Sequence, residues 1–103
     1  MTPEVHQGRV TEVSLVTAAG CHFCDDAGAA LRDLIDAGVP LRLTTVTADS
    51  PQGRELIRRH RPAMNPLVLV DGNYFSAGRL PRRKLDALLN RGASGRLQVI
   101  GRG

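Results

Sequence analysis

The run Leu67-Val68-Leu69-Val70-Asp71-Gly72 constrains this chain more than any other. Four consecutive apolar residues leave no polar face, so a strand built from them belongs in the middle of a sheet with both faces covered. Asp-Gly directly afterwards is the chemistry of a two-residue hairpin turn. The chain therefore returns antiparallel over Asn73 to Ser76. Pro62 and Pro66 bracket Ala63-Met64-Asn65 just before the run.

The segments upstream have different periods. Val10 to Thr17 is β-rich, carries Val13, Leu15 and Val16, and ends in a loop, Ala18-Ala19-Gly20. Ala27, Leu31, Leu34 and Ile35 then fall at helical spacing, with Asp25, Asp26, Arg32, Asp33 and Asp36 on the other side. Gly38 and Pro40 stop that helix. Leu41 to Val46 is a second strand, with Leu41 and Leu43 on one face and Arg42, Thr44 and Val46 on the other. Ser50-Pro51 reads as a helix cap followed by proline at the first helical position. That helix runs to about Arg59 and points Leu56 and Ile57 inward. After the hairpin, Pro81 can open a third helix with Leu85, Leu88 and Leu89 as its apolar stripe and Gly92 as its C-cap.

The order is β-α-β-α-β-β-α. Its β-α-β start requires a parallel pair with a right-handed crossover, and the hairpin adds an antiparallel edge. The expected fold is α/β: a mixed four-stranded sheet with three helices on its faces. Residues 1–8 are polar and read as a flexible tail, residues 9–91 as the single domain, and residues 92–103 as a Gly-, Ser- and Arg-rich tail, either disordered or a short added strand.

Only three aromatic residues, Phe23, Tyr74 and Phe75, occur in 103 residues, so the core is built from Val, Leu, Ile and Ala. The same scarcity argues against a stacking platform for nucleic-acid bases. Charge is uneven: residues 1–49 sum to −4 and residues 50–103 to +8, giving the net +4. A basic C-terminal half suits an anion, an acidic protein or nucleic acid, or is simply a solvated surface. The N-terminus has neither a basic start nor an apolar run, and no stretch reaches membrane-spanning length. The expected compartment is the cytoplasm, where thiols are kept reduced.

The only two cysteines are Cys21 and Cys24, in Cys21-His22-Phe23-Cys24, between the first strand and the first helix. A disulfide between them closes a very small ring and so restricts little of the unfolded chain. Its value is chemical, and C-x-x-C at this junction reads as a dithiol redox site. A buried unreactive pair or half of a metal site are the competing readings. A structural zinc needs four ligands, while His22 lies between the cysteines and His6 and His60 are far off in sequence, so no metal is expected.

Three matches make the chain similar to the thioredoxin superfamily, most closely its small glutaredoxin-like members. They are C-x-x-C after the first strand, a proline directly before the third strand (Asn65-Pro66-Leu67), and Ala77-Gly78-Arg79 ahead of a last helix. The resemblance spans roughly residues 9 to 91. It implies a thioredoxin-like, glutaredoxin-type fold and a thiol–disulfide oxidoreductase. It further implies a cis Pro66 beside the cysteines and a backbone at Asn65 that pairs with an incoming peptide or thiol. The chain departs from the glutathione-using pattern: His22 and Phe23 replace Pro-Tyr, Ala18 stands where a basic residue is common, and no acid follows Gly78 until Asp86.

On this reading Cys21 is the nucleophile, its thiolate favoured by the free N–H groups of the following helix, and Cys24 resolves the mixed disulfide. A protonated His22 would favour the thiolate, while Asp25 and Asp26 oppose it by repulsion. Phe23 packs or contacts a partner. Arg79, Arg82, Arg83 and Lys84 crowd the start of the last helix, where the dipole prefers anions, and with Gly78 form a candidate anion and substrate site. Arg58-Arg59-His60-Arg61 ends the second helix, where cations suit the dipole. No bound cofactor is expected, because the cysteines carry the electrons. The expected partners are a low-molecular-weight thiol or a disulfide reductase, and a disulfide-containing protein substrate. Membranes are not expected as partners. The alternatives are a redox-sensing or non-catalytic interaction module, and a nucleic-acid binder through the basic half.

Overall fold

A computed structural model describes residues 10–89. Among them run β1 (Thr11–Thr17), α1 (His22–Asp36), β2 (Leu41–Thr47), α2 (Pro51–His60), β3 (Leu67–Val70) and β4 (Asn73–Ala77), followed by a helix α3 over residues 82–89. The expected tails and the Gly92 cap lie outside the described residues. None of the described helices is long and apolar enough to cross a membrane.

The sheet order is β2-β1-β3-β4. β1 and β2 are parallel, from Thr11 opposite Leu41 to Thr17 opposite Thr47. The β1–β3 and β3–β4 pairs are antiparallel. β1 starts one residue later than Val10 because its partner starts only after Pro40, whose carbonyl accepts from the Thr11 N–H at 3.0 Å. β3 is interior and buried at all four positions, as its composition requires. Asp71 and Gly72 both take positive φ, 52° and 84°, and so form the expected two-residue turn. The Asp71 side chain also accepts from the Glu12 N–H at 3.0 Å, and its own N–H donates to the Glu12 carbonyl at 2.7 Å, which ties the turn to β1.

Two apolar clusters sandwich the sheet. Val13, Leu15, Leu41, Val68, Val70 and Phe75 meet Ala27, Ala30, Leu31 and Leu34 of α1 and Leu85, Leu88 and Leu89 of α3. On the opposite face, Val16, Val46, Leu67 and Leu69 meet Leu56 and Ile57 of α2. The alternation Val13/Leu15 against Val16 assigns successive β1 side chains to opposite layers.

Three local features differ from simple expectation. α2 ends at Arg61 in a left-handed conformation (φ 48°), with its N–H donating to the Ile57 carbonyl, where glycine or asparagine is the usual residue. A register shift between Val68 and Leu69 makes Phe75 an extra residue in β4 and bulges that edge strand. Arg79 lies ahead of α3, whose first helical bond runs from the Leu85 N–H to the Pro81 carbonyl at 2.9 Å.

Candidate functional site

β1 delivers the chain to Cys21, which caps α1. Its φ and ψ (−97°, 109°) are extended, and its sulfur accepts a hydrogen bond from the Cys24 N–H at 3.1 Å. The Cys21 carbonyl accepts from the Asp25 N–H at 3.2 Å, so the backbone is fixed on both sides of the sulfur. Cys21 is half-buried; Cys24, one turn into the helix, is 4% exposed. The two are disulfide-bonded, with Cα atoms 5.2 Å apart. One sulfur is therefore reachable and the other sealed. His22 and Asp25 are both exposed on the first turn of α1, and Asp26 beside them is exposed too.

The Asn65–Pro66 peptide is cis. Pro66 is buried and immediately precedes Leu67, which pairs with Val16 near the C-terminal end of β1. The register thus brings Pro66 to the end of the sheet from which the Cys21 loop departs. The Pro66 carbonyl accepts from the Gly78 N–H at 3.0 Å, which links the residues before β3 to those after β4. Gly78 (φ 87°) has Met64 packed against it: a Cβ there would stand 3.1 Å from the Met64 sulfur. Met64 is itself 52% exposed.

A groove of about 600 Å³ opens between the first turns of α1 and the residues leading into α3. Phe23 and Asp26 of α1 form one wall; Arg79, Leu80, Pro81, Arg82, Arg83 and Lys84 form the other. The Arg79 guanidinium sits over the Phe23 ring, 5.9 Å from its centre. Lys84 is turned inward: its Nζ donates to the Phe75 carbonyl at 3.4 Å and lies 5.1 Å from the centre of the Phe75 ring.

No protein-family model matches the sequence, and no curated protein does. Solved structures do match. One described as a malarial protein aligns with a TM-score of 0.62 at 18% identity, over 82% of this chain and 98% of its own. Mitochondrial thioredoxin 3 of Saccharomyces cerevisiae, in its oxidized form, aligns at 0.59 and 18% identity, over 84% and 83%. A thioredoxin from Thermus thermophilus aligns at 0.53 and 20% identity, over 89% and 83%. This chain has the thioredoxin fold.

Within that thioredoxin fold the residues singled out from sequence fall into two groups. Cys21 and Cys24 share one helix turn, and Phe23, Arg79 and Arg82 line one groove. Asn65, Pro66 and Gly78 join through the Pro66–Gly78 hydrogen bond. His22 and Asp25 make no side-chain hydrogen bond or ion pair among the described residues. Sequence reasoning did not find Met64 as a neighbour of Gly78, nor the Arg79–Phe23 stacking, because both contacts join segments remote in sequence. It placed Lys84 with the groove cations, where the structure also has it, but did not find the engagement of its amine with Phe75.

Proposed function

We propose that the chain is a thiol–disulfide oxidoreductase of glutaredoxin-like type. The observation that carries this reading is the asymmetry of the cysteine pair: a reachable Cys21 sulfur held by a helix-terminal N–H, bonded to a sealed Cys24. In the reduced protein, the Cys24 N–H and the first turn of α1 favour the thiolate of Cys21 over the thiol. That thiolate attacks one sulfur of a substrate disulfide and releases the other as a thiolate, leaving a mixed disulfide. Cys24, deprotonated, then attacks the Cys21 sulfur. The second substrate sulfur departs as a thiol or thiolate, and Cys21–Cys24 closes. Two electrons pass to the substrate, and a low-molecular-weight thiol or a disulfide reductase restores the dithiol. The backbone of half-buried Asn65, ahead of the cis Pro66, pairs with the substrate backbone, and His22 and Asp25 tune the thiolate from the helix surface.

The test is a redox titration. The protein is equilibrated in graded dithiothreitol buffers and its alkylated thiols are counted by mass spectrometry. A reversible two-electron transition between about −200 and −300 mV is expected. Cys24→Ser should then accumulate a covalent adduct with a disulfide substrate, and Cys21→Ser should not. Absence of a disulfide at every poise, or equal trapping by both variants, rejects the reading.

A further inference from the structure

Three arginines elsewhere on this molecule find carboxylates, while Arg32, Arg54 and Arg61 form no ion pair among the described residues. Arg42 pairs with Glu12 at 3.0 Å, Arg58 with Glu55 at 2.7 Å and Arg59 with Glu55 at 3.4 Å. The groove between α1 and the residues leading into α3 gathers three arginines in one place. Arg79, Arg82 and Arg83 line it, all three are exposed, and none makes an ion pair or a side-chain hydrogen bond among the described residues. Asp26 is the one carboxylate in the lining and lies outside ion-pair range of them. Arg82 and Arg83 in the first turn of α3, against its dipole, with Arg79 just ahead of it, raise the energy of the free protein. An anion in the groove relieves it.

We propose that this groove selects disulfide substrates whose cystine is flanked by acidic residues, seating the acidic peptide segment on Arg79, Arg82 and Arg83. The inference rests on the oxidoreductase reading above and adds the substrate class. Position supports it: the groove wall holds Phe23, two residues along the chain from Cys21, which puts the groove within reach of the residues that flank a disulfide meeting Cys21. The form of the surface favours a polypeptide over a small anion. Small-ligand pockets enclose most of the ligand surface, whereas here the cationic residues are themselves exposed and the apolar lining of Phe23 and Pro81 is only half-buried. Gly78, next to Arg79, is buried under the exposed Met64, a flexible apolar contact of the kind that adapts to varied partners. Arg79, held over the Phe23 ring, is pre-oriented for a carboxylate and has its donors free for bidentate contact.

The experiment uses the reduced full chain and two synthetic peptides, each closed by one disulfide. They are identical except that the cystine is flanked by Asp and Glu in one and by Ser and Gln in the other. Second-order rates are measured at low ionic strength and in about 1 M NaCl, where charges more than a few ångströms apart are screened. Three exposed ion pairs acting together predict a preference for the acidic peptide of about tenfold at low salt. The preference should fall to about twofold or less at high salt, and equally in R79Q/R82Q/R83Q at low salt. If that variant does not fold, the salt dependence of the wild-type ratio decides alone. Equal rates for the two peptides, or a preference indifferent to salt, overturns the proposal and leaves the redox reading standing. So does suppression of acidic-peptide reduction by duplex DNA but not by oligoglutamate, which assigns the face to nucleic acid. Reduction of neither peptide overturns the oxidoreductase reading itself, and this proposal with it.

Discussion

Gly53→Ala should destabilise the protein, although it replaces glycine by the best helix former. In an unobstructed helix the exchange gains about 1 kcal/mol. Gly53 is the third helical residue of α2, buried, with its N–H donating to the Ser50 hydroxyl at 2.9 Å. A Cβ at this position would overlap the Thr47 carbonyl oxygen. It would also stand 2.9 Å from the Thr47 carbonyl carbon and 3.0 Å from the Ala48 Cα. These are backbone atoms, and the Thr47 carbonyl is itself held by the Ser50 hydroxyl at 2.7 Å and the Ser50 N–H at 3.1 Å. Because carbon atoms rest about 3.5–4.0 Å apart, the first turn of α2 must retreat by roughly 1 Å. That retreat opens the Ser50 cap, at a cost of about 1 kcal/mol. It also lifts Leu56 and Ile57 from Val46, Leu67 and Leu69, an overpacking cost of about 2 kcal/mol. After the helix-propensity gain, the net loss is about 2 kcal/mol, a fall in Tm of roughly 10 °C for a domain of this size. Thermal unfolding of the disulfide-intact protein followed by circular dichroism measures it. Gly28→Ala is the control: a Cβ there meets only the Arg32 guanidinium, at 3.3 Å, on an exposed side chain free to swing away. That variant should gain about 0.5–1 kcal/mol. Two shifts of the same sign, or a Gly53→Ala protein as stable as the wild type, refute the reasoning.

Ser76 is 8% exposed, and its hydroxyl has no partner among the described residues; Ser76→Ala should raise stability by about 1 kcal/mol in urea unfolding, and a lower midpoint would reveal a partner. Glu55 predicts a pH dependence. The hydrogen bond from Arg58 holds its carboxyl below the usual range, against desolvation, which raises it, and aided by the charges of Arg58 and Arg59. A depressed folded value means that the pair stabilises the protein above the unfolded value and that this contribution is lost as pH falls through the folded one. Glu55→Gln should therefore lower the urea midpoint at neutral pH, and the gap should close as the pH falls through the folded value of Glu55; a gap that does not change with pH rejects the assignment.

The parts of this fold written in local chemistry were readable in the sequence. Asp71-Gly72, Ser50-Pro51, the all-apolar Leu67–Val70 and the helical spacing of Ala27 and Leu31 each act within a few residues, and each sits where its composition demands. The cysteine pair was legible for the same reason, its geometry being set by one helix turn. The remainder depends on segments that meet only after folding. Arg61 takes a left-handed cap even though Pro62 follows, held by its N–H bond to the Ile57 carbonyl and by the anchoring of α2 through Leu56 and Ile57. The Phe75 bulge lets both Phe75 and Ser76 be buried in an edge strand, which strict alternation does not provide. Gly53 looks like a weak point in a helix until the Thr47 carbonyl beneath it is known. The groove was legible as composition, four cations in six residues, but not its opposite wall, Phe23 and Asp26, which lies more than fifty residues away.

The position of β1 limits how the chain can be shortened. β1 has hydrogen-bonded partners on both sides, β2 contributed by residues 41–47 and β3 by residues 67–70. A fragment ending after α2 would keep the cysteines, their helix and the parallel partner, yet leave the second edge of β1 bare along Val13, Ser14, Leu15 and Val16. An uncovered apolar edge of that kind pairs with whatever strand is available, including its own copies. The redox loop is therefore not separable as an N-terminal half: a soluble minimal unit must extend through Val70, and a truncation short of it is expected to aggregate before its chemistry can be assayed.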